Sequence, residues 1–158
     1  MRSHRSQLAL VVCVGALLFA WRAETDRDVV VAQATKSIMM TRIYTGPDGL
    51  SHSEEIAMKV GGNGISDMWK ATGAQFSRRS PGPASDWHVG PRRQFVITLS
   101  GRAELEVAGG KKVPIEPGHI TLIEDTTGQG HITKNVGPDD RIVVTIPLED
   151  QTVGRASR

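Results

Sequence analysis

Two histidines, His88 and His131, sit among polar neighbours in a chain of 158 residues that holds five histidines and one cysteine. Imidazole exchanges protons near neutral pH and is the commonest nitrogen ligand of transition metals. The first lies in Trp87-His88-Val89-Gly90-Pro91-Arg92-Arg93-Gln94. The second follows Glu124-Asp125-Thr126-Thr127-Gly128-Gln129-Gly130. Arg92 and Arg93 could grip an anionic substrate group through two parallel hydrogen bonds. They could equally form a solvated turn that pairs with Glu124 and Asp125. Trp87 fits either a packed wall or the mouth of a ligand pocket. His52 and His119 read as surface or strand-edge residues, since Pro117-Gly118 places His119 at a turn.

Several other chemistries are excluded by what the chain lacks. Cys13, the single cysteine, lies inside an apolar run, so there is no disulfide framework, thiol nucleophile or cysteine metal site. No Gly-x-Ser-x-Gly elbow and no His-Glu-x-x-His pair occur. Gly61-Gly62-Asn63-Gly64 and Gly109-Gly110 lack the strand-to-helix setting of a phosphate loop. The formal charge is +2, but Arg2, Arg5 and Arg22 fall within residues 1–23, which hold no acid. Beyond them 16 basic face 17 acidic side chains, so no nucleic-acid partner is implied.

The elements that must position these residues are short. Apolar segments alternate with turn chemistry: Ile38–Tyr44 before Gly46-Pro47-Asp48-Gly49, Ile56–Val60 before the glycine cluster, and Met68–Phe76 before Ser80-Pro81-Gly82-Pro83. Phe95–Leu99, Val113–Ile115, Ile120–Ile123 and Arg141–Pro147 follow the same pattern. Leu105 and Val107 alternate with Glu104 and Glu106, which predicts a half-buried strand. Many short strands at this spacing predict an all-β sandwich or small barrel. In a strand-turn-strand reading of 82–101, His88 and Gly90 share a face, and so do Gln94, Val96 and Thr98. If the second face points inward, His88 and Gln94 meet inside.

The same segment resembles the first cupin motif: Gly, five residues, His-x-His, three or four residues, Glu, six residues, Gly. Gly82, His88, Gly90, Gln94 and Gly101 fall on those positions. Gly90 stands where the second His is expected and Gln94 where the Glu is expected. The second cupin motif is matched by Pro117-Gly118 and by His131 with Asn135 closing the His-x3-Asn pattern, after a loop about two residues longer than usual. The resemblance spans roughly Met68 to Leu148 and implies a cupin jelly-roll β-barrel or sandwich. It also implies a divalent transition metal (Fe, Mn, Ni, Cu or Zn) held by His88, Gln94 and His131. Glu124 or Asp125 could complete a set of two imidazoles and one carboxylate. Strand parity decides which of the two faces inward, and the sequence leaves that open. If the departures at 90 and 94 caused a loss of metal, Gly90→His with Gln94→Glu should restore it.

Residues 1–23 form a basic head and an apolar run from Leu8 to Trp21, the pattern of a signal peptide or, uncleaved, a membrane anchor helix. Export to a secreted or extracytoplasmic location is the expectation. Residues 24–35 read as a linker, 36–150 as one β-barrel domain, and 151–158 as a flexible tail. Three functions are compatible with these residues. One is a metal-dependent enzyme acting on a small organic substrate. Another is a binding module for a small ligand such as a carboxylate or sugar-like molecule, anchored by Arg92 or Arg93. The third is an interaction protein. A homodimer through strand edges is allowed.

Overall fold

The computed structural model describes residues 37–149. The expectations for 1–23, 24–35 and 151–158 lie outside them. Nine strands form: β1 (Ile38–Thr45), β2 (Ser51–Met58), β3 (Gln75–Arg79), β4 (Gln94–Ser100), β5 (Arg102–Val107), β6 (Lys111–Ile115), β7 (Ile120–Glu124), β8 (Ile132–Val136) and β9 (Arg141–Pro147). The large sheet runs β2-β1-β7-β4-β9-β3 and the small one β6-β5-β8. Neighbours are antiparallel except β1 and β7, which run parallel. These two sheets give the all-β jelly-roll sandwich expected from the sequence.

Period-two patterning explains how the sheets stack. In β5, Ala103, Leu105 and Val107 are buried while Glu104 and Glu106 face outward. In the large sheet Ile43 and Ile123 face this row, and with Val113 and Ile115 of β6 they make one core. Their alternates, Met40, Phe95 and Leu122, pack with Leu148 and Trp69 on the other face of the large sheet. Each fully buried aliphatic side chain contributes about 1.5–3 kcal/mol. Ile43→Ala, at a position with no exposed surface, would cost about 2–5 kcal/mol.

Three strand readings shift. Of the run expected at Ile56–Val60, Ile56–Met58 end a longer β2 that begins at the polar Ser51, because hairpin pairing with β1 extends the ladder back to the Gly46–Leu50 turn, and Val60 makes only an isolated bridge to Ser66. Of Met68–Phe76 only the last two residues are strand, since Trp69 instead packs edge-on against Phe95, with ring centroids 4.9 Å apart. Before β4 there is no full strand at His88, only a single bridge to His131. The strand Ile132–Val136, with Lys134 and Asn135 in it, offers no apolar run to read.

Candidate functional site

The two histidines are brought together through the backbone. The His88 N–H donates to the His131 carbonyl at 3.0 Å, and the His131 N–H donates to the His88 carbonyl at 2.9 Å. Gly130 makes that approach possible. Its φ is +73°, and a Cβ there would lie 2.0 Å from the His88 carbonyl oxygen. No side chain fits in that space, and an L-residue disfavours that conformation. The result is a pair of imidazoles with ring centroids 4.6 Å apart, tilted by 53°.

Both rings are oriented through Nδ1. His131 Nδ1 lies 2.6 Å from Asp125 Oδ2, and Asp125 has no exposed surface. His88 Nδ1 lies 2.9 Å from the Asp86 carbonyl, with the Ser85 hydroxyl at 3.2 Å. Carboxylates and carbonyls only accept, so each Nδ1 carries the hydrogen and each Nε2 is left for another partner. Asp125 is also fixed through its backbone, its carbonyl accepting from the Gly90 N–H at 3.0 Å.

His88, Gly90, Gln94 and His131 line a cavity of about 260 Å³ between the sheets. Its walls come from Val96, Thr121 and Ile123 of the large sheet and from Leu105, Ile115 and Thr133 of the small one. The inward face of β4 is thus the one carrying Gln94 and Val96. The parity of β7 is also fixed. Thr121, Ile123 and, just past the strand, Asp125 point inward, while Glu124 points outward.

Two residues that the sequence reading did not single out, Arg79 and Arg141, line the same cavity. Arg141 is only 5% exposed. Its Nε and Nη2 donate to the Thr98 hydroxyl at 3.1 and 2.8 Å. Among the described residues it makes no ion pair. Arg79 is its direct cross-strand partner in β3 and β9. Burial first, and then the charge of Arg79, pull the Arg141 guanidinium down to about 10. Nearby, His119 is half-buried, its Nε2 2.9 Å from the Thr41 hydroxyl, which donates to Glu55. Burial pushes His119 down, the Arg141 charge adds to this, and Glu55 opposes it. His119 thus stands half-buried at the strand edge that begins β7, one of the two placements its turn suggested, and hydrogen-bonds Thr41.

The other expected site residues lie elsewhere. Arg93 Nε and Arg42 Nε hold the two oxygens of Glu124, each at 2.5 Å, and Arg42 continues to Glu54 at 2.8 Å. This chain of ion pairs is on the outward face of the large sheet, and Arg93 also stacks 5.4 Å from the Trp69 ring. Arg92, Arg93 and Glu124 border a separate groove with Thr126 and Glu149. Trp87 is 39% exposed and does not line the imidazole cavity. Arg92 and Arg93, expected as ligand anchors in the barrel, do not line the imidazole cavity: side-chain alternation in β7 sends Glu124 outward, and Arg93 pairs with it there. Asp125 faces the site, but as the partner of His131.

A divalent metal fits this donor set poorly. Among the described residues no group of three His, Cys, Asp or Glu is placed to hold an ion. His88, His131 and Gln94 supply only neutral donors. His131 Nδ1 engages one oxygen of the inward carboxylate, the other oxygen is buried without a hydrogen-bond partner among the described residues, and two guanidiniums line the cavity and oppose a cation. Nor does Gly90 leave room for the absent histidine, because a Cβ there would lie 2.4 Å from Ile123 Cγ2.

The two sheets make a jelly-roll sandwich, the architecture that the cupin resemblance of the sequence led one to expect. No family model matches the chain, and no curated protein does. Among solved structures it is similar to a Cupin 2 conserved barrel domain protein from Salinispora arenicola, at 22% identity over 49% of this chain, with a TM-score of 0.39. That match spans 62% of the Salinispora chain, less than two thirds of it. A predicted oxalate decarboxylase from Thermotoga maritima is 19% identical over 73% of this chain and 96% of its own, with a TM-score of 0.39. The Cnp3 cupin domain of Schizosaccharomyces pombe is 12% identical over 75% of this chain and 88% of its own, with a TM-score of 0.40. Likenesses this distant assign no activity, which has to be argued from the site.

Proposed function

We propose that the protein is an enzyme that binds a small polar organic molecule in the barrel and moves a proton on it, with no step through a metal. The observation that carries this is the buried Asp125–His131 pair at 2.6 Å, which leaves the second ring nitrogen for the cavity. His131 Nε2 takes a proton from the ligand, and the Asp125 carboxylate stabilises the imidazolium that forms. Gln94 can donate an amide hydrogen to a ligand oxygen that gains negative charge. His88, held at its own Nδ1, presents a second imidazole to the same ligand. The cavity, about 260 Å³, lies just below the usual range for drug-sized ligands, which limits the substrate to a small one.

The test is solvent exchange. A panel of small hydroxy and oxo compounds, charged and neutral, is incubated with the protein in D₂O and followed by proton NMR. Wild type replaces a ligand C–H hydrogen with deuterium. His131→Gln and Asp125→Asn, checked for folding by circular dichroism, slow this by about 10²-fold or more. Equal rates in wild type and His131→Gln would refute the assignment. Binding without exchange by any panel member would leave a binding module in place of an enzyme.

A further inference from the structure

Arg141 is a guanidinium placed where a charge is costly. It is almost wholly buried, lines the cavity, and has only the neutral Thr98 hydroxyl as a bonded partner among the described side chains. Directly across the β3–β9 ladder stands Arg79, which lines the same space. Like charges directly opposite in a sheet destabilise it, and a buried charge without a counterion destabilises it more. Nothing in the packing of a jelly roll requires either cation at this wall. A ligand of opposite sign turns both liabilities into attraction.

The geometry of the fork narrows the class. Thr98 takes one hydrogen from Nε and one from Nη2, on one edge of the guanidinium. Three of its five hydrogens remain, including one on each Nη at the end of the group. An end-on pair of this kind matches the two oxygens of a carboxylate. A phosphate dianion calls for more donors. They usually come from a helix N-terminus or a run of backbone N–H groups, and the wall around Arg141 is made of strand.

We propose that the cavity's ligand is a small carboxylate, paired by Arg141 with Arg79 as a second, outer cation. Gln94 and Thr98 are separated by four residues of β4, about 13 Å of strand, so the anchor enters from the opposite end to the histidines. The carboxylate end is thus held at Arg141 while the rest of the molecule extends toward His88 and His131. This rests on the proton-transfer reading only for what happens at that far end; the anion pairing stands without it.

The experiment compares matched pairs that differ only in charge: propionate with propionamide, lactate with lactamide, succinate with succinamide. Inorganic phosphate and sulfate form a separate arm. Binding is read by calorimetry and by the shift in melting temperature. At least one carboxylate binds ten times or more tightly than its amide. Arg141→Met abolishes that preference, Arg141→Lys weakens it tenfold, and Arg92→Ala leaves it unchanged. If Arg141→Met does not fold, Thr98→Val keeps the guanidinium but frees its held edge, and weakens carboxylate binding several-fold. Amides binding as well as carboxylates, or an undiminished affinity in the Arg141 and Thr98 variants, overturns the proposal. Phosphate or sulfate binding more tightly than every carboxylate also overturns it. Neutral panel members that exchange deuterium while no carboxylate binds would reject the anion and leave the proton-transfer reading intact. Exchange lost in His131→Gln, with carboxylate binding kept, would separate the two ends of the site.

Discussion

Gly130 is the residue on which the imidazole pair depends, and Gly130→Ala tests this quantitatively. Two costs add. At φ +73° an L-residue is disfavoured by about 1–2 kcal/mol. The new methyl would also sit 2.0 Å from the His88 carbonyl oxygen, 2.2 Å from its carbon and 2.5 Å from Val89 N. All three are backbone atoms, so no rotamer change relieves the clash, and the His88 and His131 backbones must separate. That breaks their two reciprocal hydrogen bonds, worth about 1 kcal/mol each. The sum is about 3–4 kcal/mol, or a fall of about 12–16 °C at about 4 °C per kcal/mol for a domain of this size. Gly109→Ala is the matched control. Its φ is +76°, but nothing lies within 4 Å of where its methyl would stand, so only the conformational cost applies, a fall of about 4–8 °C. Thermal unfolding by circular dichroism, with urea midpoints beside it, measures both. Equal losses in the two variants would refute the close approach, and with it the convergence of the histidines.

Two further outcomes follow from the same structure. Gly90→His with Gln94→Glu, the change that would complete the cupin metal motif, yields no stoichiometric metal by elemental analysis. It also lowers stability by about 1–3 kcal/mol, because the new Cβ meets Ile123; full metal occupancy with an unchanged melting temperature would refute the poor match between this donor set and a dication. The acid limb of the stability curve has two parts. His119 is held below its ordinary 6.5, chiefly by burial, so the unfolded chain takes up that proton first and stability declines as pH falls below about 6.5. Burial acts to raise Glu124, but the bonds from Arg93 and Arg42 outweigh it and hold its carboxyl below its ordinary 4.5, so its contribution is lost further down, as pH falls below about 4.5. His119→Gln flattens the upper part and Glu124→Gln the lower part in urea titrations, and an unchanged curve in either variant contradicts that assignment.

How much of this is legible in the sequence differs from residue to residue. The alternation at Leu105 and Val107, and the glycine and proline turns, mark β5 and β6 of the small sheet directly, because period two is a local signal, whereas β8 carries no such pattern. The spacing of Gly82, His88, Gln94 and Gly101, with His131 and Asn135, carries the fold and puts two imidazoles in one place. Strand parity at Glu124-Asp125 is illegible, since the pair ends its strand and both residues are acids. Neighbours in space decide it: Arg42 and Arg93 draw Glu124 outward, and His131 draws Asp125 inward. Arg141 carries only a faint signal. It opens a β-branched run, and alternation from the buried Val143 puts it on the inner face. A guanidinium on a face that should meet a core is a warning of a site. Arg92 and Arg93 stand out instead because they adjoin the motif, yet adjacency along a strand reverses the face at each step.

The departures from the metal motif and the presence of Arg141 have the same electrostatic sign. With a glutamate at position 94 and a histidine at 90, the cavity would hold one more negative charge and one more lone pair, both of which favour a cation. Gln94 removes the charge, Gly90 removes the lone pair, and Arg141 with Arg79 adds two positive charges to the walls. Together they disfavour a dication, because the attraction of two neutral imidazoles must be set against the buried Arg141 guanidinium and the exposed Arg79 at the same cavity. The Asp125–His131 pair is compatible with either sign, since Asp125 Oδ2 holds Nδ1 whatever approaches Nε2. On the proposed reading the two histidines of this barrel address an anion extended toward them, not an ion held between them.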